Sequence, residues 1–479
     1  MLDEKKNNYI MSVYKQGLYF GLAVCDISTG DFYTTQIKQT NNFEKLLDEI
    51  ARYTPAEIVG NELLYETTSE ITKIKERFNC FISHLTEKEF SQDVEKLKND
   101  YKIINDKEER IEDFSDKLFC ICAINGLLEY LNQTQKIKLE HINTIKLYTT
   151  TRYMALDISA RRNLEITEKL RDKSKKGTLL WVLDKTATSM GGRHLRRWLN
   201  DPLLDVLEIN YRLSGVKELK ENVIYRGDII DTLKKVYDIE RLIGKISYGN
   251  ANARDMISLK NSIKQLPELK QLLKSSQAPI LQNLYQELDE LTDIYELIQI
   301  AIVDDPPMTI KEGGIIKLGY HEMVDKYRKA TTEGKQWVID IEQKEKEATG
   351  IKNLKVSYNK VFGYFLEVTK SYLNLVPDRY IRKQTLANCE RYITEELKEI
   401  ENQILGAEEK IISLEYNLFL ELRNKIASQI ERIQTSACVV STIDVLCSFA
   451  QVAEDLNYVM PIVDNSGEIE IKDRKTSCN

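Results

Sequence analysis

Asn359, Lys360, Arg382, Lys383, Gln384, Thr385, Asn388 and Arg391 fall in one stretch of the chain. These residue types suit phosphate oxygens. Lysine and arginine supply charge, while amides, hydroxyls and backbone N–H groups aim hydrogen bonds. Such a set positions a duplex by its backbone without reading its bases. The local charge agrees. Lys352 to Arg391 holds Lys352, Lys355, Lys360, Lys370, Arg379, Arg382, Lys383 and Arg391 against only Glu367, Asp378 and Glu390. The window is therefore net positive within a chain of formal net charge −7. An acidic chain is not a general nucleic-acid binder, and a basic patch on it would direct a polyanion to one place. An ordinary solvated surface is the bland alternative. Tyr358, Phe362, Tyr364 and Phe365 read as sheet core rather than as base-stacking platforms.

Other chemistries find less support. Asp26, in DISTGD, sits at the end of an early strand, with Glu57 and Glu62 in the next strand region. Two-metal nuclease chemistry needs several convergent carboxylates, and DISTGD reads more simply as a hairpin turn. A P-loop requires G-x-x-x-x-G-K-[ST]. SKKGTLLW has one glycine and KEGGIIKLG lacks the terminal Gly-Lys pair, so no ATPase or other enzymatic site is expected in this chain. Eight cysteines and His84, His141, His194 and His321 are scattered without metal-ligand spacing, so no metal or other cofactor is expected. The N-terminus, MLDEKKNNYI, lacks the apolar core of a signal peptide. The apolar run LFCICAINGLLEYL falls short of the roughly 18 residues of a membrane span. No membrane partner is expected, and reduced thiols fit a cytoplasmic location.

The elements that would carry the phosphate-binding set are legible. In VSYNKVFGYFLEVT, Val356 to Thr369, apolar residues fall at alternate positions, predicting two short strands that turn near Asn359–Gly363. Heptad patterns flank this stretch. Ile316, Tyr320, Met323, Tyr327, Ala330, Gly334, Trp337 and Ile341 form one seam. Ile393, Leu397, Ile400, Ile404, Ala407, Ile411, Leu414 and Leu418 form another, continued by Leu422, Ile426, Ile430 and Ile433. Two such helices should pair antiparallel to bury their seams. At roughly 35–40 residues each they would be about 50–60 Å long, placing the small sheet at the tip of an arm. Thr394 reads as a cap of the second helix, while Gly334 and Gly350 should weaken the first. The first 140 residues read as α/β. Residues 153–304 are nearly all helical, with breaks at Asp201–Pro202, Gly249–Asn250, Pro267 and Pro279. The length suggests about three domains.

Several motifs in order resemble the MutS family of mismatch-recognition proteins. They are ALDISARRNLEI, TLLWVLDKTATSMGGRHLRRWLNDPLLD, LKVSYNKVFGYFLEVTKS, YIRKQTLANCERYITEELKE and STIDVLCSFAQVAEDLNYVMP. The resemblance covers nearly the whole chain. It implies a multidomain fold of α plus α/β classes: an RNase H-like connector, an all-α core with a long antiparallel coiled-coil lever, and a small β-containing clamp at the lever tip. The expected divisions are 1–140 connector, 141–334 core and lever, 335–394 clamp with the lever ends, 395–463 returning lever and core, and 464–479 a divergent tail. It also implies double-stranded DNA as partner, a homodimer, and a MutL-type partner through the connector. In the clamp it places Asn359, Lys360, Lys383, Gln384, Thr385, Asn388 and Arg391, with Ala387 where many relatives have lysine. The family's mismatch-reading domain with its Phe-x-Glu wedge, and its ATPase domain that uses ATP and magnesium, have no counterpart in these residues. The ending IKDRKTSCN reads as a truncated or frameshifted tail.

The expected function is thus backbone contact with duplex DNA in mismatch repair, without mismatch discrimination or ATP turnover. The alternative is a coiled-coil scaffold whose tip binds a protein. GGRHLRRWL is expected to be structural, with Leu195, Trp198 and Leu199 in the core, and KLRDKSKKG to be a solvated loop.

Overall fold

The structure, a computed structural model, describes residues 3–38, 43–78, 80–106, 108–135, 141–359 and 363–472. The chain is mixed α/β and divides into two compact units, one of residues 1–251, 258–295 and 425–479, the other of residues 252–257 and 296–424.

The first unit opens with a seven-stranded sheet. Its strands are β1 (Tyr9–Gln16), β2 (Tyr19–Asp26), β3 (Asp31–Lys38), β4 (Glu57–Gly60), β5 (Phe81–His84), β6 (Lys102–Ile104) and β7 (Thr144–Leu147), in the order β5-β4-β1-β2-β3-β7-β6. Only β2 runs antiparallel to its neighbours. The apolar run LFCICAINGLLEYL lies in helix Leu118–Gln135, where Ile121, Ile124 and Leu127 are buried against one face of the sheet. A second cluster on Met11, Phe20, Leu22 and Val24 packs against Leu46, Leu47 and Ile50 of helix Glu44–Tyr53. With both faces of the sheet covered, the central strand β2 is apolar at successive positions, FGLAVC.

The helical part of this unit is built around helix Ile430–Asp455. It is long and apolar enough to cross a membrane by length and composition, yet most of its apolar window is buried in the fold. Helices Ser189–Asn200, Val206–Glu221 and Ile239–Ser247 pack on it. The expected breaks fall at real boundaries: a helix ends at Asn200, Pro267 lies in the first turn of Leu266–Leu273, and Pro279 opens Pro279–Glu287. Leu195 is buried, with Trp198 and Leu199 against the same cluster. Arg193 of GGRHLRRWL serves the fold. Arg193 is buried and donates to Asp238 at 2.7–2.8 Å, to Glu240 at 2.6–3.2 Å and to the Glu4 carbonyl at 2.7 Å.

Asp184 ties the N-terminal segment to this core. It accepts from Lys5 Nζ at 3.0 Å, Lys175 Nζ at 2.5 Å and the Thr186 hydroxyl at 2.6 Å. Burial alone would raise its carboxyl, but Lys175, Thr186 and Lys5 outweigh that and hold it at about 2. A carboxyl depressed by folding adds stability above its unfolded value near 4, and that stability is lost as pH falls towards 2. Asp184→Asn should therefore remove roughly 1–2 kcal/mol near neutrality. It should also flatten the pH dependence of unfolding between about pH 4 and 2. Denaturant unfolding across that range checks this, and an unchanged slope would refute it.

The second unit contains helix Glu322–Thr349, a four-stranded sheet and most of helix Glu395–Ala427. Contacts between the two helices run in opposite directions. Lys344 meets Glu396, Gly334 faces Ile404, and Arg328 pairs with Glu415. Of the heptad residues, the returning helix buries Leu397, Ile404, Ala407, Leu418 and Leu422, leaves Ile400, Ile411 and Leu414 half-buried, and buries Glu415 and Phe419 off the pattern. Thr394 accepts from the Leu397 N–H at 3.3 Å, as a cap should.

The outgoing helix departs from expectation. It starts at Glu322 rather than near Ile316, where the Gly319 N–H instead donates to Asp325 at 2.8 Å. Its buried seam combines Gly334 and Ile341 with Val324, Thr331, Val338 and Glu345, while Met323, Ala330 and Trp337 are exposed. Positions i−4 and i−3 both lie on the face of a given residue, and burial follows the column of Val324, Thr331 and Val338 rather than that of Met323, Ala330 and Trp337. Gly334 is also more than a weak point. A Cβ there would lie 2.5 Å from Ile404 Cγ1, so glycine permits the close approach of the helices. Gly350 follows the last helical residue and ends the helix instead of weakening it.

Candidate nucleic-acid interface

The sheet of the second unit holds the two expected strands, β8 (Lys355–Asn359) and β9 (Gly363–Thr369), and two more, β10 (Ile381–Thr385) and β11 (Cys389–Ile393), in the order β10-β11-β9-β8. Its inner face shares a core with the helix ends. Leu366, Val368, Tyr380 and Tyr392 pack with Val338, Ile341, Leu397 and Ile404. Carboxylates of both helices also reach the sheet. Buried Glu345 accepts from Arg379 at 2.5 Å and from the Tyr380 hydroxyl at 2.8 Å. Glu401 accepts from the Tyr364 N–H at 3.2 Å.

Most of the predicted set gathers on the β10–β11 hairpin. Arg382 pairs with Tyr392 and Gln384 with Arg391, so Lys383 is an extra residue, a β-bulge. Successive residues of β11 point to opposite faces, and the bulge therefore sends Arg382 and Gln384 to opposite faces as well. Plain alternation would have put them on one. Lys383 is exposed on this outer strand, and no described residue forms an ion pair or hydrogen bond with its side chain. Thr385 and Asn388 are exposed too, beside a turn closed by the Leu386 N–H on the Cys389 carbonyl at 2.9 Å. Arg382 is 65% exposed and only 3.8 Å from Glu390, a long contact that leaves it open to an anion.

Arg391 is placed differently from the expectation. Its Nε donates to Glu367 at 3.2 Å and its Nη1 to Gln384 Oε1 at 2.9 Å. The guanidinium lies 4.3 Å from the Phe365 ring centroid, and the side chain is 20% exposed. With Arg379 on Glu345, two of the seven described cations of the window have carboxylate partners at hydrogen-bond distance, and one of those partners lies outside the window.

Asn359 is not grouped with Lys383. It pairs with Gly363 at the start of β9, whereas Cys389 pairs with Thr369 at the end of β9. The length of β9 separates the two hairpin ends by roughly 20 Å at about 3.4 Å per residue. Lys360 lies outside the described residues.

The carboxylates weighed for metal chemistry do not converge. Asp26 is buried and accepts from the Ser28 N–H (2.9 Å) and hydroxyl (2.7 Å), Asn7 Nδ2 (2.8 Å) and the Asn8 N–H (3.2 Å). Glu57 holds the Tyr130 and Ser83 hydroxyls, and Glu62 is exposed at the start of a short helix. Among the described residues no three His, Cys, Asp or Glu side chains are grouped to hold a metal ion.

The family profile of MutS domain III matches residues 159–450, and that of MutS domain II matches residues 8–143. The chain belongs to the MutS family. Domain II of the family spans β1 to β6 here, and domain III includes both long helices and the β8–β11 sheet. A DNA mismatch repair protein MutS from Acetivibrio thermocellus is 52% identical over 475 residues, 99% of this chain and 54% of the relative. MutS proteins from Ruminiclostridium cellulolyticum and Caldanaerobacter subterraneus subsp. tengcongensis are 52% and 50% identical, each over 98% of this chain and 54% of the relative. The chain spans about half the length of the curated MutS relatives it matches.

Proposed function

We propose that this chain contacts the backbone of duplex DNA in MutS-type mismatch repair. In this reading the paired helices serve as lever and the β8–β11 sheet as clamp. The chain's part is binding rather than catalysis, and a homodimer and a MutL-type partner at domain II belong to the same reading. The observation that carries it is Lys383, pushed out of the ladder by a bulge, exposed and without a described partner, beside Arg382, Thr385 and Asn388. An edge-strand lysine also discourages strand pairing, but that role does not require the neighbouring hydroxyl and amide.

Anisotropy titration with a homoduplex from 50 to 200 mM salt tests the proposal. About three phosphate contacts should weaken binding roughly 40-fold over that range. Lys383→Glu should weaken it further at low salt and make the dependence shallower. Affinity indifferent to salt would remove the phosphate contact. Exposed Ile381, Leu375 and Tyr358 around the sheet favour a second reading, a protein-binding tip. Charge reversal at Lys383 without effect on duplex affinity would support it.

A further inference from the structure

We propose that Arg391 is a positioning residue: it orients the Gln384 amide so that its NH₂ group faces a DNA phosphate, and does not touch phosphate itself. This inference rests on the backbone contact proposed above.

The outward face of the sheet carries a row in register, Gln384 on β10, Arg391 on β11, Glu367 on β9 and Lys355 on β8. Arg391 is held from two directions, by Glu367 at 3.2 Å and by the Phe365 ring beneath its guanidinium at 4.3 Å. A guanidinium has only donors, so the group that Gln384 presents to it at 2.9 Å must be the carbonyl oxygen. The amide nitrogen is then turned the other way. Gln384 is half-buried on the outer strand, and no described residue accepts from that nitrogen.

An unrestrained glutamine offers oxygen or nitrogen to its surroundings by a simple flip of the amide. Oxygen towards a phosphate is repulsive, and nitrogen donates. Fixing the flip converts an indifferent side chain into a donor of the right polarity. The Glu367 carboxylate meanwhile balances the Arg391 charge, so Arg391 should displace few counterions from DNA. The bulge at Lys383 matters to this arrangement, because it brings Gln384 onto the face of Arg391.

A direct phosphate contact and a positioning role differ in salt dependence. Each phosphate neutralised contributes about 0.9 to the slope of log affinity against log salt. Duplex titrations from 50 to 200 mM salt should compare Lys383→Gln, Arg391→Met, Arg391→Lys, Gln384→Met and the Arg391→Met/Gln384→Met pair. Lys383→Gln should lower the slope by about 0.9. Arg391→Met and Gln384→Met should each weaken binding roughly 10-fold at every salt concentration, the loss of one charge-assisted hydrogen bond, with the slope unchanged. The double variant should be no weaker than either single one, and Arg391→Lys, which can still donate to Oε1, should recover part of the affinity. Gln384 lies on the outer strand, so its variant decides the matter if loss of Arg391 disturbs the sheet. A slope reduced by Arg391→Met as much as by Lys383→Gln would overturn the proposal, as would full affinity in Gln384→Met. Salt-independent binding by the unaltered protein would overturn the backbone contact itself, and this inference with it.

Discussion

Replacing Asp444 with alanine should lower the unfolding free energy by roughly 3–5 kcal/mol, because it strips a buried carboxylate from three donors. Asp444 lies within helix Ile430–Asp455 and is 1% exposed. It accepts from the Ala187 N–H at 2.8 Å, the Thr188 N–H at 2.8 Å and the Thr188 hydroxyl at 2.7 Å. Thr188 in turn caps helix Ser189–Asn200, accepting from the Gly191 N–H at 2.9 Å. Burial raises the Asp444 carboxyl to about 6 against these bonds, so near neutrality it is ionised and depends on its donors. Alanine leaves all three facing an apolar gap. The same geometry explains Gly191, where a Cβ would lie 2.2 Å from Asp444 Oδ2. Gly191→Ala should therefore destabilise alone, and be tolerated better once Asp444 is alanine. A double-mutant cycle by urea unfolding measures that compensation. A loss below 1 kcal/mol for Asp444→Ala, or strictly additive effects, would sink this account.

Neither contact could be read from the letters. TATSMGGRHLRRWL announces a helix start, but its partner lies some 250 residues later on a helix whose buried positions include polar residues. Periodicity reports which face is buried and says nothing of which carboxylate meets which donor. The returning helix Glu395–Ala427 was legible because its seam is Leu, Ile and Ala at regular steps. The outgoing helix offered two adjacent columns, one with Met323 and Trp337 and one with Thr331 and Glu345. Heptad spacing alone does not choose between them, and the structure buries the second, where Glu345 finds Arg379 and Tyr380.

The sheet shows the same limit. β8 and β9 alternate plainly in sequence, and Asn359 pairs with Gly363. IRKQT and CERYI do not alternate, since one forms an outer strand and the other buries Glu390. Only the bulge, invisible in composition, separates Arg382 from Gln384. Counting charge overstated how free these cations are, because Arg379 and Arg391 are neutralised by carboxylates on other elements. The family resemblance identified what periodicity could not, and domains II and III of the MutS family match in order.

Glu415→Ala is expected to destabilise the second unit by roughly 3–5 kcal/mol, the range for removing one partner of a buried ion pair. Glu415 is fully buried on the returning helix. Its Oε1 accepts from Arg328 on the outgoing helix at 2.5 Å, and its Oε2 accepts from the Ile315 N–H at 3.0 Å. Alanine would leave the guanidinium, among the described residues, with only the Ile316 carbonyl at 2.6 Å and Asp325 at 3.7 Å, and would orphan a buried amide. Glutamine can still accept with one oxygen, so Glu415→Gln should lose less, roughly 1–2 kcal/mol. Removing both charges distinguishes pairing from packing. Arg328→Met with Glu415→Met should recover much of the loss, since an apolar pair of similar volume avoids desolvating two ions. What remains should be near the 1–3 kcal/mol of the unpaired Ile315 N–H. Thermal and urea unfolding measure these proteins together with the single Arg328→Met and Glu415→Met variants. If Glu415→Ala melts like the unaltered protein, or the double variant is worse than either single one, the buried pair does not hold these helices together. Duplex binding then becomes a second readout. If the helices carry the clamp as proposed, Glu415→Ala should weaken binding at temperatures where the first unit is still folded, although no altered residue lies on the sheet.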